Sequence, residues 1–197
     1  MEYKIILGYA TIVIQILSYV IYFRGILKGE TKPHAFTWLV WSFINVIAFA
    51  AVVVAGGGIG ATVLAINALA CLAISVIGFK QKRVDYDLYD WWALIGGLIG
   101  TFLWWLTKDP LYAVILVSLS DAVGSIPTLR KAYYFPFEEN ALSFGICLIS
   151  YPLAILALEN LNLTTYLYPV VIILVDIVLL VLILVRRRKI PLSTLPN

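Results

Sequence analysis

Seven apolar runs follow one another along the chain, each bounded by charge, Pro or Gly: Tyr3–Phe23, Phe36–Ala55, Ile59–Phe79, Trp91–Thr107, Leu111–Leu129, Ala141–Leu158 and Thr165–Val185. Each meets or approaches the roughly 20 residues that a helix needs to cross about 30 Å of hydrocarbon. None shows the period-two alternation of a barrel strand. The pattern predicts an all-α membrane protein with seven transmembrane helices. The connections leave no room for a soluble domain, so residues 1–197 read as one integral membrane domain.

The fifth run is the costly one, because Asp121 lies inside it. An Asp at a helix centre costs about 2.5–3.5 kcal/mol on insertion, and each Leu, Ile, Val or Phe returns about 0.3–0.6. The apolar residues between Leu111 and Ile126 roughly cancel it. This helix should therefore depend on neighbours that shelter the carboxyl. The first run, with Glu2 beside Lys4 and no small-x-small site before Arg24, reads as a retained helix rather than a cleaved leader.

Composition agrees. The chain is 62% hydrophobic and 13% charged, with mean hydropathy +0.98, whereas soluble domains are about 45–50% apolar and about 25% charged. The net charge of +3 is not a nucleic-acid footprint, because the basic residues flank the apolar runs. With seven alternating spans, twelve Lys and Arg fall on one side and only Lys4 and Lys108 on the other. The positive-inside rule then puts the N-terminus outside and the C-terminus in the cytoplasm, with the plasma membrane as the expected location. Cys71 and Cys147 sit in apolar runs without metal-ligand or redox spacing, and read as small core residues.

Landmarks recur at a shift of 130 − 24 = 106 residues: Gln15 to Arg24 overlies Asp121 to Arg130 without a gap, Thr37 overlies Ser143, and Lys80 to Arg83 overlies Arg186 to Lys189. The chain accordingly divides into a first triple-helix repeat (1–83), a linker helix (84–109), a second triple-helix repeat (110–189) and a cytoplasmic tail (190–197). One intervening helix makes the copies face the same way, a 3+1+3 parallel repeat about the membrane normal.

That layout resembles the SWEET/PQ-loop superfamily of small-solute transporters, over nearly the whole chain. The stretch Ser120 to Pro127, with an Asp before small residues and Pro127 where a Pro-Gln hinge would fall, is similar to the fifth helix of cystinosin-type carriers. The Pro-Gln pairs themselves are not intact: Thr128 follows Pro127, and Ile21-Tyr22 stands in the first copy.

Polar residues inside the spans are the candidate chemistry, since ionisable groups there are costly and mark function by default. Asp121, Gly124 and Thr128 share one helix face, as do Gln15, Ser18 and Tyr22, and Trp38, Trp41 and Asn45. Trp38 fits an aromatic-belt anchor at the cytoplasmic boundary. The resemblance implies a central solute held by Trp41 and Asn67 in one half and Tyr151 and Asp176 in the other, and Asn45 joins them from the Trp41 face. Asp121 is the candidate for proton coupling, because burial favours a neutral acid that can load and release a proton. Pro127 and Pro152 are candidate hinges. Gly96 and Gly100 form a small-xxx-small pair suited to docking helix four or a second copy of the chain.

No catalytic set can be assembled. His34 is the one histidine, no residues have metal-ligand spacing, the Gly-x-Gly-Asp pattern of intramembrane aspartyl proteases is missing, and no Lys lies within the seventh run to carry retinal. The expectation is a non-enzymatic carrier of a small polar solute, sugar or amino-acid-like, without cofactor or metal. A non-transporting receptor or assembly protein stays open, because seven helices do not specify function. A polar cavity at the bundle centre separates the two.

Overall fold

The computed structural model describes residues 2–81, 88, 91, 95, 99, 102, 106 and 109–190. The helices are α1 (Glu2–Leu27), α2 (Ala35–Val54), α3 (Thr62–Gln81, led by a 3-10 turn at Gly58–Ala61), α4 (Pro110–Gly124), α5 (Ile126–Tyr134), α6 (Ala141–Ala157) and α7 (Leu163–Lys189). No strand occurs among the described residues. The fourth predicted span, its Gly96–Gly100 pair and the tail lie outside them, apart from isolated helical positions including Trp91 and Ile95.

Among the described residues, five stretches are long and apolar enough to cross a membrane: Glu2–Leu27, Ala35–Val54, Gly58–Gln81, Pro110–Tyr134 and Leu163–Lys189. The sixth, Ala141–Ala157, has 17 residues, about 26 Å of helix at 1.5 Å per residue. The arrangement of side chains is that of a membrane-embedded protein. On α1 the outward stripe is Ile6, Tyr9, Val13, Leu17 and Val20, all exposed, while Thr11, Gln15, Ser18 and Tyr22 are buried. Apolar faces outward and hydroxyls and amides inward reverse the arrangement of a water-soluble helix.

Neighbour relations are regular. α1 packs along α6 and against α3, α2 packs on α3 and α4, and α7 packs on α4, α5 and α6. α1 and α3 run the same way, with Gly8 against Ile59 and Gln15 against Asn67. α6 runs opposite to α1: Lys4 Nζ donates to the Leu158 carbonyl at 2.7 Å, and Ser18 meets Ser143 further along. α2 is antiparallel to α3, with Ser42 Oγ donating to the Ala68 carbonyl and Ser75 Oγ to that of Ala35.

The fifth predicted span runs over Pro110–Tyr134, with an interruption at Ser125 between α4 and α5 next to the expected Pro127 kink. Pro127 has no N–H to return to the Val123 carbonyl. The Ser125 N–H turns back to Asp121 and Val123, and its hydroxyl donates to the Ala122 carbonyl at 2.9 Å. By contrast α6 stays helical through Pro152. Gly124, just before the break, lets α4 close on α2: a Cβ there would lie 2.9 Å from Val40 Cγ1.

Candidate functional site

Polar groups that cannot face lipid have to find each other inside the bundle. Asn67 on α3 is the hub. Its Oδ1 accepts from Gln15 Nε2 at 2.6 Å and from the Tyr19 hydroxyl at 3.0 Å. Its Nδ2 donates to the Tyr151 hydroxyl. Ser150 on α6 donates to Gln15 Oε1. α1, α3 and α6 are thus tied by side-chain amides and hydroxyls at mid-bundle, with Ser18, Ser143 and Cys147 one turn further on.

Beside this network lies an internal cavity whose lining includes Trp41, Asn45, Asn67, Tyr151, Asp176 and Asp121. Every residue proposed from sequence for solute binding or proton coupling therefore meets in one place. The cavity volume is about 40 Å³, above the roughly 10–15 Å³ that one water needs. The chamber is small. Asp121 and Asp176 both bring carboxyls to it and are nearly fully buried.

Several lining groups have unused hydrogen-bonding capacity. Asn45 Nδ2 donates to the Trp41 carbonyl at 2.8 Å, but its Oδ1 is unpartnered, as are Trp38 Nε1, Trp41 Nε1 and the Tyr168 hydroxyl. Buried polar atoms without partners are rare, each costing about 1–3 kcal/mol. Four around one cavity leave it equipped to take a polar guest. The Thr128 hydroxyl is also unpartnered; it does not belong to the lining described above.

Two features differ from expectation. Trp38 is no belt anchor: it is buried, lines the cavity, and packs edge-on against Trp41 at 5.1 Å and tilted against Tyr22 at 4.7 Å. Tyr19 and Tyr168 also line the cavity and were not singled out, since an aromatic in an apolar run looks the same facing lipid or core. The free cysteines Cys71 and Cys147 are buried as expected, and both lie on the cavity wall.

The end of the bundle nearest Tyr22 is sealed by charge. Lys131 Nζ lies 2.7 Å from Glu139 Oε1, with side chains 6% and 0% exposed. The same ammonium donates to the Lys32 carbonyl and to that of Glu138 at 3.4 Å. Lys32 pairs with Glu138, and the Lys32 N–H donates to the Glu138 carbonyl at 3.0 Å. The Tyr22 hydroxyl donates to Glu139 Oε2 at 3.4 Å, and the Tyr22 ring packs on Trp38 of the cavity wall. Burial pushes the Glu139 carboxyl above its ordinary value, against the opposing pull of Lys131.

Comparison with known proteins adds no name to this geometry: no family model, curated protein or solved structure matches the chain.

Proposed function

We propose that the protein is a seven-helix carrier that moves a small polar solute across the plasma membrane by alternating access. The observation that carries the reading is the polar cavity within the bundle, with two carboxyls and unpartnered polar atoms gathered from separate helices. A scaffold has no need of such a chamber.

The 3+1+3 parallel repeat is part of this proposal, and helix contacts support it. Under the 106-residue shift α1 maps to α4 and α5, α2 to α6, and α3 to α7. The pairings α1–α6, α2–α3 and α1–α3 then become α4–α2, α6–α7 and α4–α7, each of which occurs. α2 begins at Ala35 and α6 at Ala141, and 141 − 35 = 106. His34 and Asn140, 106 apart, each engage the residue three further on. Lys32 and Glu138, also 106 apart, touch one another, as repeat mates must when they lie beside a two-fold axis. A fourth crossing within 82–108 is also favoured. α3 ends at the basic end of the bundle, whereas α4 starts at the opposite end, where Ala113 and Val114 share a core with Val52, Ala61 and Val63.

The SWEET/PQ-loop resemblance fits this arrangement. In the proposal, Trp41, Asn45, Asn67, Tyr151 and Asp176 surround the solute, Asp121 carries a coupled proton, and the Pro127 break and Pro152 absorb the rocking of the halves. The basic end, with the Lys131–Glu139 pair, faces the cytoplasm, and the N-terminus faces outside. Flux into liposomes of sugars, amino acids and nucleosides, with and without a pH gradient, tests the reading. Asp121→Asn should exchange solute yet lose gradient-driven accumulation. Flux indifferent to the gradient makes the carrier a passive uniporter, and absence of any flux removes the transport reading.

A further inference from the structure

We infer that the cavity selects a small organic cation, an amine without an acid group, over neutral, zwitterionic and anionic molecules of the same size. The inference rests on the carrier reading and deepens it. Both ionisable carboxyl-bearing residues of the cavity, Asp121 and Asp176, come from facing helices, and no described lining residue is Lys, Arg or His. A buried acid without a basic partner stays protonated, and gives up its proton only when a counter-charge lies beside it, which a ligand cation supplies. An anionic ligand adds a third acid to the same enclosure. A zwitterion brings a carboxylate that none of the described lining residues can pair.

The walls suit a cation for a separate reason. Tyr19, Trp38, Trp41, Tyr151 and Tyr168 surround the chamber with aromatic rings, whose faces attract ammonium groups, most strongly when these are desolvated. The unpartnered atoms divide into two kinds. Asn45 Oδ1 is an acceptor for an ammonium N–H, and the Tyr168 hydroxyl can accept one as well. Trp41 Nε1–H is a donor only, and calls for an acceptor on the ligand. One ammonium and one hydroxyl on a short stem satisfy both sets. The room available, about 40 Å³ for water-sized centres, limits the stem to a few heavy atoms unless the cavity widens.

Ethanolamine is the probe, with ethylene glycol, glycine and glycolate as its neutral, zwitterionic and anionic counterparts of similar size. Binding to the full chain in lipid nanodiscs is read from quenching of tryptophan fluorescence, and flux from proteoliposomes. Ethanolamine should bind saturably, at least tenfold more tightly than any of the other three. Asp176→Asn should lose at least tenfold of that affinity, and Asp176→Glu should keep most of it. An unfolding midpoint for each variant separates lost binding from lost folding, and if Asp176→Asn fails to fold, the ligand series on the unmodified protein decides alone. Equal binding of glycine or ethylene glycol overturns the inference, as does full ethanolamine affinity in a folded Asp176→Asn. A neutral solute that fluxes while ethanolamine neither binds nor moves sinks the cation assignment and leaves the carrier reading intact. Selective ethanolamine binding without flux of any solute does the reverse.

Discussion

Replacing Lys131 by Met tests the seal at the basic end, and its cost can be worked from the structure. The ammonium is paired at 2.7 Å with a carboxyl that is fully buried. Removing one partner of a buried pair typically costs about 3–5 kcal/mol, because the other charge is left unpaired. Here the survivor has an escape: Glu139 can take up a proton. From an ordinary value of 4.5, neutralising it at pH 7 costs about 1.36 kcal/mol for each of about 2.5 pH units, or about 3.4 kcal/mol. At pH 5 the same step costs about 0.7 kcal/mol. The sign follows from burial. An acid raised on folding contributes stability that is complete below its unfolded value and is lost as pH rises through its folded one. Lys131→Met should therefore lose about 3 kcal/mol at pH 7 and well under half of that at pH 5, in unfolding from mixed micelles followed by tryptophan fluorescence. Adding Glu139→Gln removes the acid, so the double variant should regain most of the loss at pH 7. A loss independent of pH, or a double variant as unstable as Lys131→Met alone, refutes the account of this pair.

Other expectations follow from single contacts. Asn67→Ala leaves Gln15, Tyr19 and Tyr151 without their shared partner; at about 0.6 kcal/mol per intramembrane bond, it should lower unfolding stability by about 2 kcal/mol. Gly124→Val drives a Cβ into Val40 and should cost about 1–3 kcal/mol in the same assay. No loss there means that α2 and α4 are not packed as described. Cysteines replacing Glu2 and Asp109 should label from outside, and those replacing Arg83 and Leu195 from the cytoplasm. Labelling of positions 83 and 109 from one side contradicts the fourth crossing.

The spans were legible because lipid demands long apolar runs, and the candidate site because polar side chains stand out against them. Asn45, Asn67, Asp121 and Asp176 could be picked out singly, and they share one cavity with Tyr151, which only the family resemblance pointed to. What could not be read was direction. Tyr168 and Trp38 look like any aromatic in an apolar run, and only packing turns them inward. Lys131 counts as a flanking charge for topology, yet it is buried against Glu139; a pair formed between a helix end and the following loop leaves no periodic mark. The interruption at Ser125 was visible as Pro127, whereas α6 carries Pro152 without one, a difference the prolines alone do not show.

The cavity holds its own reporter for the central claim. With Cys71→Ser, Cys147 is left as the one thiol, on the cavity wall. Its modification by a small, charged, membrane-impermeant methanethiosulfonate can be timed in liposomes from each side separately. Alternating access predicts slow labelling from both sides, with each side slowed when the bundle is held closed to it. Reaction from one side only, or from neither, contradicts a carrier and leaves a bundle with a sealed polar core.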